Sequence, residues 1–176
     1  MDKYFFDAVS KKYYKSIEDY RIKMLEDESS FDGCSNLEKY EDIEKWHLNC
    51  KLFESLDTVP PGYSLGFEYL YINNDEVVGM LNFRPLALTH PFLKQYGGHI
   101  GYSIKPEYRN KSIGSKMLKD FLKICKKKYD LDKILITCLS DNIASKRVII
   151  NNGGVFESDI IYPPNGSKLE RYWISI

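Results

Sequence analysis

The sequence predicts a mixed α+β fold in a single domain over residues 1–176. The chain of 176 residues is long enough to bury one sizeable core, and 43% of it is hydrophobic. Its apolar spacing changes from helical to alternating after the breaker Pro60-Pro61-Gly62. Later in the chain an amphipathic segment separates two runs of strand-forming residues, which favours helices packed on a sheet.

The first third of the chain predicts two helices, near 11–28 and 36–55. Apolar residues recur there at helical spacing among many charges, and the polar stretch 29–33 separates the two segments. We therefore expect an N-terminal helical part over 1–58, followed by a core over 60–176.

The middle of the chain predicts three strands. Residues 67–72 and 77–83 are rich in β-forming side chains and flank a turn at 73–75, which is typical of an antiparallel hairpin. A third strand is expected at 99–104, after the most loop-like stretch, 85–98.

The last third continues with an amphipathic helix that opens at Ser112. Beyond it the pattern predicts a strand, a second helix ended by Gly153-Gly154, and two terminal strands; these elements span about 133–138, 142–151, 155–161 and 169–174.

Composition and charge exclude several classes of function. Lysine plus arginine equals aspartate plus glutamate, 25 against 25, so nothing in the overall charge favours nucleic acid or an anionic membrane. No segment approaches the roughly 18 apolar residues of a membrane span, and the N-terminus lacks the apolar core of a signal peptide. We expect a cytoplasmic protein without nucleic-acid or membrane partners.

Metal chemistry is also not expected. Cys34, Cys50, Cys125 and Cys138 form no Cys-x-x-Cys pair, and the three histidines do not stand at ligand spacing from them or from one another. We treat the cysteines as small hydrophobic residues.

The segment 102–115 is the most informative for chemistry. A strand ends in a polar turn that immediately opens a helix, which leaves backbone N–H groups directed along the positive end of the helix dipole. Phosphate groups bind at such positions, although a plain structural turn capped by Ser112 accounts for the same pattern.

Two motifs carry a resemblance to the GNAT superfamily of acyl-CoA-dependent N-acetyltransferases. Arg109-Asn110-Lys111-Ser112-Ile113-Gly114 resembles the family's phosphate loop, and Asn142, Ser145 and Gly153 match the family pattern after the fifth strand. The resemblance covers about 60–170.

The resemblance implies a GNAT-like, mostly antiparallel sheet of six to seven strands with about four helices. It also implies a V-shaped splay between strands 99–104 and 133–138. It implies direct transfer of an acetyl group from acetyl-CoA, as co-substrate, to a primary amine of a small molecule or peptide. Oligomeric state stays open, and a homodimer is compatible with it.

The resemblance assigns cofactor contacts to two segments. Loop amides would hold the pyrophosphate and the backbone of the third strand would bind the pantetheine arm; the residues are Ser103, Ile104, Arg109, Asn110, Lys111, Ser112, Ile113, Gly114, Ser115, Asn142 and Ser145. Asn142 equally fits the role of a helix N-cap.

For catalysis, we consider His99 and Glu68 as general bases and Tyr102 as a donor to the leaving thiolate. Two residues depart from the family pattern. Ser112 replaces a glycine, which strains the loop if φ is positive there, and Ile149 replaces a tyrosine that serves as general acid. A catalytically weak acyl-CoA sensor or interaction module is therefore the alternative function.

Overall fold

The structure is a computed structural model that describes residues 3–176, and the chain folds as two compact units. The first unit contains the chain up to Arg84 together with Gly101–Ile113, and the second contains Pro85–Ile100 and Gly114–Ile176. The strands are β1 (Tyr4–Ala8), β2 (Phe67–Asn73), β3 (Glu76–Phe83), β4 (Ile100–Ile104), β5 (Lys133–Leu139), β6 (Val155–Tyr162) and β7 (Ser167–Ser175), and the helices are α1 (Tyr14–Glu26), α2 (Ile43–Leu52), α3 (Ile113–Tyr129) and α4 (Ile143–Asn151).

The seven strands form two sheets, one of order β1-β2-β3-β4 and one of order β5-β7-β6. Antiparallel ladders join β1 to β2, β2 to β3, β5 to β7 and β6 to β7; Glu68 lies opposite Asn82 and Cys138 opposite Glu170. The prediction of a mixed α+β fold with mostly antiparallel strands and about four helices is confirmed. The strands predicted to splay apart, β4 and β5, belong to different sheets.

The strand β1 was not predicted, and the expectation of a purely helical segment over 1–58 is wrong in this respect. Tyr4-Phe5-Phe6 is a short run of β-forming residues that pairs along the outer edge of β2. The ring of Tyr71 on β2 packs against Tyr4 and Phe6, with ring centroids 5.6 and 4.8 Å apart. Five residues are too few for a periodicity to show in the sequence.

The two N-terminal helices are shorter than predicted. Helix α1 covers 14–26, and α2 begins at 43, because the Asp42 side chain caps it by accepting the N–H groups of Glu44 and Lys45 at 2.9 and 3.2 Å. The chain between the helices contains only a 3₁₀ turn at Leu37–Lys39.

The core of the first unit lies between these helices and one face of the four-stranded sheet. Its members are fully buried apolar side chains from α1, α2 and β2, including Ile17, Tyr20, Met24, Trp46 and Leu70. Burial of this apolar area is the main source of the unit's stability.

A buried lysine anchors the end of β4 within this unit. Lys105 Nζ donates to Asp19 Oδ2 at 2.5 Å and to Glu76 Oε1 at 2.6 Å, and Tyr108 OH donates to the second oxygen of Glu76 at 2.7 Å. The lysine is 3% exposed, so both carboxylates are needed to offset the cost of burying its charge. The chain that follows β4 is thereby fixed to α1 and β3.

The second unit contains α3, α4 and the three-stranded sheet. Helix α3 buries Met117, Leu118, Phe121 and Cys125 along one side, as its predicted amphipathic pattern requires. The stretch predicted as a loop, 85–98, contains a 3₁₀ turn at Ala87–Thr89 and a π-helical turn at Leu93–Gly97.

The prediction of a single domain with a boundary near 58–60 stays a prediction. Over the described residues, none of the helices combines the length and hydropathy of a membrane span.

The segment between α1 and α2 approaches β4 at backbone distance. Gly33 has a φ of +73°, and a Cβ atom placed on it would lie 2.2 Å from the carbonyl oxygen of Gly101. Only a residue without a side chain permits this approach.

We expect Gly33→Ala to lower the free energy of unfolding by about 3 kcal/mol, because the added methyl group would meet β4 backbone in a left-handed conformation. Gly62→Ala is the matched control: its φ is +83°, but nothing lies within 4 Å of the added atom. Urea unfolding should give the control a loss of about 1 kcal/mol, from backbone strain alone. Equal losses for the two variants would show that the contact with Gly101 is unimportant.

Candidate active site

The polar turn after β4 has the backbone conformation of an anion-binding loop. Asn110 and Ser112 both adopt left-handed conformations, with φ of +58° and +60°, and α3 begins at the next residue, Ile113. Alternation between left-handed and ordinary residues gathers successive N–H groups into a concavity. Because Asn110, Lys111 and Ser112 are exposed, these groups are open to a ligand at the start of a 17-residue helix.

The same geometry shows why Ser112 is an unusual residue at its position. A non-glycine residue with a φ of +60° is strained, since its Cβ atom crowds the adjacent carbonyl group. The sequence predicted strain at Asn110 or Ser112 on condition that φ were positive, and φ is positive at both.

Arg109 directs its side chain away from the loop and toward α1. Its Nε donates to the carbonyl oxygen of Ile104 at 2.9 Å, its Nη1 to Asp27 at 2.6 Å and its Nη2 to the hydroxyl of Ser29 at 2.8 Å. The guanidinium therefore positions the loop against the C-terminal end of α1. A contact of Arg109 with phosphate would come from its backbone.

The side chain of Ser103 is likewise committed to the core of the first unit. Its hydroxyl lies 2.9 Å from the hydroxyl of Tyr20 and 3.0 Å from the sulfur of Cys34. Tyr102, its half-buried neighbour, projects from the opposite face of β4, because successive side chains alternate along a strand. What β4 offers to a cofactor at Ser103 is backbone.

In the second unit, Asn142 serves as the N-cap of α4. Its Oδ1 accepts the N–H of Ser145 at 3.0 Å. This is the structural role that the sequence left open beside cofactor binding. Both residues are half-buried.

His99, the first candidate base, is enclosed and bound to β5. It is 1% exposed, its N–H donates to the carbonyl oxygen of Leu135 at 2.8 Å, and its Nδ1 accepts the N–H of Leu135 at 2.9 Å. A neutral imidazole that accepts at Nδ1 carries its hydrogen on Nε2. This arrangement favours a structural role for the ring.

Glu68, the second candidate base, is a buried carboxyl group on β2. It is 4% exposed; its Oε2 accepts from the hydroxyl of Ser35 at 2.6 Å and from the amide of Asn82 at 3.3 Å, while its Oε1 has no hydrogen-bond partner among the described residues. Burial raises the pKa of this carboxyl to about 8, although the two hydrogen bonds lower it. A pKa in this range suits a group that takes a proton near neutral pH.

A family model for the acetyltransferase (GNAT) domain matches residues 18–155, from α1 to the start of β6. The chain belongs to the GNAT family. It is accordingly an acetyl-CoA-dependent N-acetyltransferase by class. No curated protein matches the chain.

Solved structures of other GNAT proteins share the fold over nearly the whole chain. RimL, a ribosomal L7/L12 α-N-protein acetyltransferase in complex with coenzyme A, matches with a TM-score of 0.71 over 98% of this chain and 94% of its own, at 19% identity. An acetyltransferase from Salmonella typhimurium that modifies the N-terminal serine of L7/L12 gives 0.68 over 98% and 95%, also at 19%. A chimera of the Vibrio cholerae spermidine N-acetyltransferase SpeG gives 0.66 over 98% and 94%, at 12%.

Ile149, which replaces the tyrosine common in GNAT proteins, is fully buried within the second unit. A Cβ atom on Gly154 would lie 2.4 Å from the Cγ2 atom of Ile149, so the two residues pack at close range. The position therefore belongs to the core of the unit, and a tyrosine would need room that the present packing does not leave.

Sequence reasoning missed a polar cluster in the second unit. Lys146 Nζ donates to Glu170 at 2.7 Å, and the Tyr172 hydroxyl donates to the same carboxylate. Burial, and next the bond to Glu170, raise the pKa of Tyr172 well above its usual range. The cluster joins α4 to β7, and no local pattern announced it, because its members are 24 and 26 residues apart in the chain.

It also missed Arg84, which follows β3. Over residues 3–176, no three or more His, Cys, Asp or Glu side chains are grouped so as to hold a metal ion.

We expect Ser112→Gly to raise the free energy of unfolding by about 1 kcal/mol, because glycine adopts a φ of +60° without steric strain. Ser112→Ala is the control: it removes the same hydroxyl but keeps the Cβ atom, and should bring no gain. Chemical denaturation of the three proteins measures the difference. A gain of equal size in the alanine variant would assign the effect to the hydroxyl.

We expect Glu68→Gln to stabilise the protein in a pH-dependent way. The pKa of the native carboxyl is raised from 4.5 to about 8, so its protonation stabilises the native state at acid pH, and that stabilisation is lost as the pH rises through this interval. Glutamine stays neutral throughout. The melting temperature of the variant should therefore gain on that of the wild type between about pH 4.5 and 8 and level off above.

The exposed residue Glu41 offers a matched control for this series. Glu41→Gln should leave a melting-temperature difference that changes little over the same interval. A flat profile for Glu68→Gln as well would contradict the raised pKa of Glu68.

Proposed function

We propose that this GNAT protein transfers an acetyl group from acetyl-CoA to a primary amine of a small molecule or peptide, by direct attack in a ternary complex. The single observation that carries the proposal is the left-handed conformation of both Asn110 and Ser112 in the family's phosphate-loop motif. A serine accepts strain at an exposed position when the conformation itself is required, as it is for a concavity of N–H groups.

Binding of the co-substrate rests mainly on backbone groups. The amides from Asn110 to Ser115 would hold the pyrophosphate, assisted by the charge of the exposed Lys111, and the backbone of Tyr102 to Ile104 would pair with the pantetheine arm. The capping role of Asn142 supports its position at the start of α4 and leaves its amide nitrogen for the cofactor.

The reaction requires three events. The amine nitrogen attacks the thioester carbonyl carbon, so that a C–N bond forms and the C–S bond breaks. A base accepts the proton that the amine loses, and the CoA sulfur leaves as a thiolate. Backbone N–H groups that face the developing oxyanion lower the barrier most, because they are oriented before the reaction.

Glu68 is better supported than His99 as the base. Its unpartnered oxygen has a free lone pair for a proton, and its raised pKa of about 8 matches the task. The Nδ1 lone pair of His99 is already occupied by the N–H of Leu135.

The leaving thiolate does not depend on a tyrosine at position 149. A thiol has a pKa near 8.5, so its anion is tolerable near neutral pH. Tyr102 and Ser145 are the donors that remain within the segments assigned to the cofactor, and loss of either should lower kcat more than the affinity for CoA.

Calorimetry with CoA, followed by a coupled assay for free thiol with acetyl-CoA and a panel of amines, tests the proposal. We expect binding and, with at least one amine, release of free CoA. Tight binding without transfer to any amine would support the acyl-CoA sensor instead. Absence of binding at millimolar CoA would remove the proposal.

We expect Gly114→Asp to weaken CoA binding at least tenfold, because it adds a carboxylate to the first turn of α3 where the pyrophosphate should bind. The control is Asn165→Asp, which adds the same charge in the turn between β6 and β7 and keeps the oxygen that accepts the N–H of Ser167 at 3.0 Å. Calorimetry on both folded variants decides the matter, and unchanged affinity in Gly114→Asp would argue against a pyrophosphate at this helix.

A further inference from the structure

Three polar side chains lie together on one face of the four-stranded sheet, at the end of the apolar core. Glu68 on β2 faces Asn82 on β3, and Arg84 follows two residues later, so all three project from the same side. An apolar core does not require this set. Each of these groups carries a desolvation cost unless it is bound.

Two of the three groups have atoms without partners. Glu68 Oε1 and Arg84 Nε are both enclosed, and neither makes a hydrogen bond with any residue in 3–176. Arg84 also forms no ion pair in this part of the chain, although Glu68 and Asp32 are near enough to raise its pKa against the larger, lowering effect of burial. One orphaned acceptor and one orphaned donor therefore lie close together in the interior.

The charge of this group favours an anion beside Arg84. Glu68, with its pKa of about 8, is mostly neutral at pH 7, and Arg84, with a pKa of about 10, stays protonated. The third charged neighbour, Asp32, is exposed and accepts the hydroxyl of Ser30 at 2.8 Å. A guanidinium is left without a close counter-charge.

Arg84 also lies against the strand that the proposed function assigns to the thioester. Its Nη2 is 3.0 Å from the point where a Cβ atom on Gly101 would be. Gly101 directly precedes the Tyr102–Ile104 backbone. Any side chain at 101 would displace the guanidinium, so the glycine admits it to the centre of β4.

The segment that covers these groups is strained. Gly33, Ser35 and Asn36 all have positive φ, and Ser35 is the residue that donates to Glu68. Backbone strain of this kind persists where the surrounding structure holds a ligand-binding arrangement in place.

We propose that Arg84 binds a carboxylate of the acceptor, so that the enzyme acetylates amino-acid-type amines in preference to polyamines. A guanidinium pairs with a carboxylate through two parallel N–H···O bonds, and Glu68 Oε1 faces the ammonium group of the same zwitterion. The two orphaned atoms thus match the two ends of one substrate. This inference rests on the proposed function and names its acceptor class.

The test compares each amino acid with its carboxamide and with spermidine, in steady-state kinetics with acetyl-CoA. We expect kcat/KM for the acid to exceed that for the amide by about 10- to 100-fold, the size of a charge-assisted hydrogen bond. Equal values for acid and amide, or a preference for the amide or for spermidine, would overturn the proposal.

Arg84→Gln should reduce this preference to about onefold while CoA affinity stays within twofold of wild type. Arg147→Gln, the same change at an exposed position on α4, should leave both unchanged. An equal loss for acid and amide in a folded Arg84→Gln protein would show that Arg84 acts only through stability.

A thermal-shift series with CoA and each amine gives a readout that does not need turnover. The acids should raise the melting temperature of wild type but not of Arg84→Gln. If CoA binds and neither the acids nor their amides cause a shift or react, the acceptor class is wrong while the cofactor proposal stands. If CoA itself does not bind, the proposed function fails.

Discussion

The contact of Gly33 with Gly101 is the constraint on which the first unit depends most. Two glycines in register allow a loop backbone to lie directly on a strand, at a distance that a methyl group would prevent. This approach carries Cys34 to the hydroxyl of Ser103 and Ser35 to the carboxyl of Glu68. The segment between the helices, which is poor in regular structure, is thereby as firmly placed as the sheet beneath it.

The phosphate loop is held by a second set of contacts, all on its approach. Lys105 ties the end of β4 to two carboxylates, and Arg109 ties the next turn to the end of α1. With both cationic side chains used in this way, the loop offers backbone amides and the charge of Lys111. The strain at Ser112 is compatible with this design, because the surrounding contacts fix the conformation more strongly than the residue resists it.

The two candidate bases differ in how burial is compensated. His99 is enclosed with its Nδ1 and its backbone N–H both satisfied by Leu135, which makes the ring part of the connection between the chain before β4 and β5. Glu68 is enclosed with one oxygen satisfied and one not. An incompletely satisfied buried carboxyl is costly in the free protein, and a substrate that supplies the missing partner recovers part of that cost.

The sequence by itself determined the fold class, the family and the position of the phosphate loop. The amphipathic spacing of α3, the β-forming runs and the pair of spaced motifs are local signals, and each survives in a single chain. It also made the strain at Asn110 and Ser112 foreseeable, since the family pattern places glycine where φ is positive.

Only the tertiary structure decided what the polar side chains do. Arg109 turned from the cofactor to α1, His99 became a link to β5, and Arg84 emerged beside Glu68, because each role depends on partners brought near by sheet pairing and long-range packing. Strand β1 was hidden for the same reason: five residues gain their stability from β2, more than sixty residues away. Local spacing does not encode which strands pair, and so does not reveal which buried polar atoms remain without a partner.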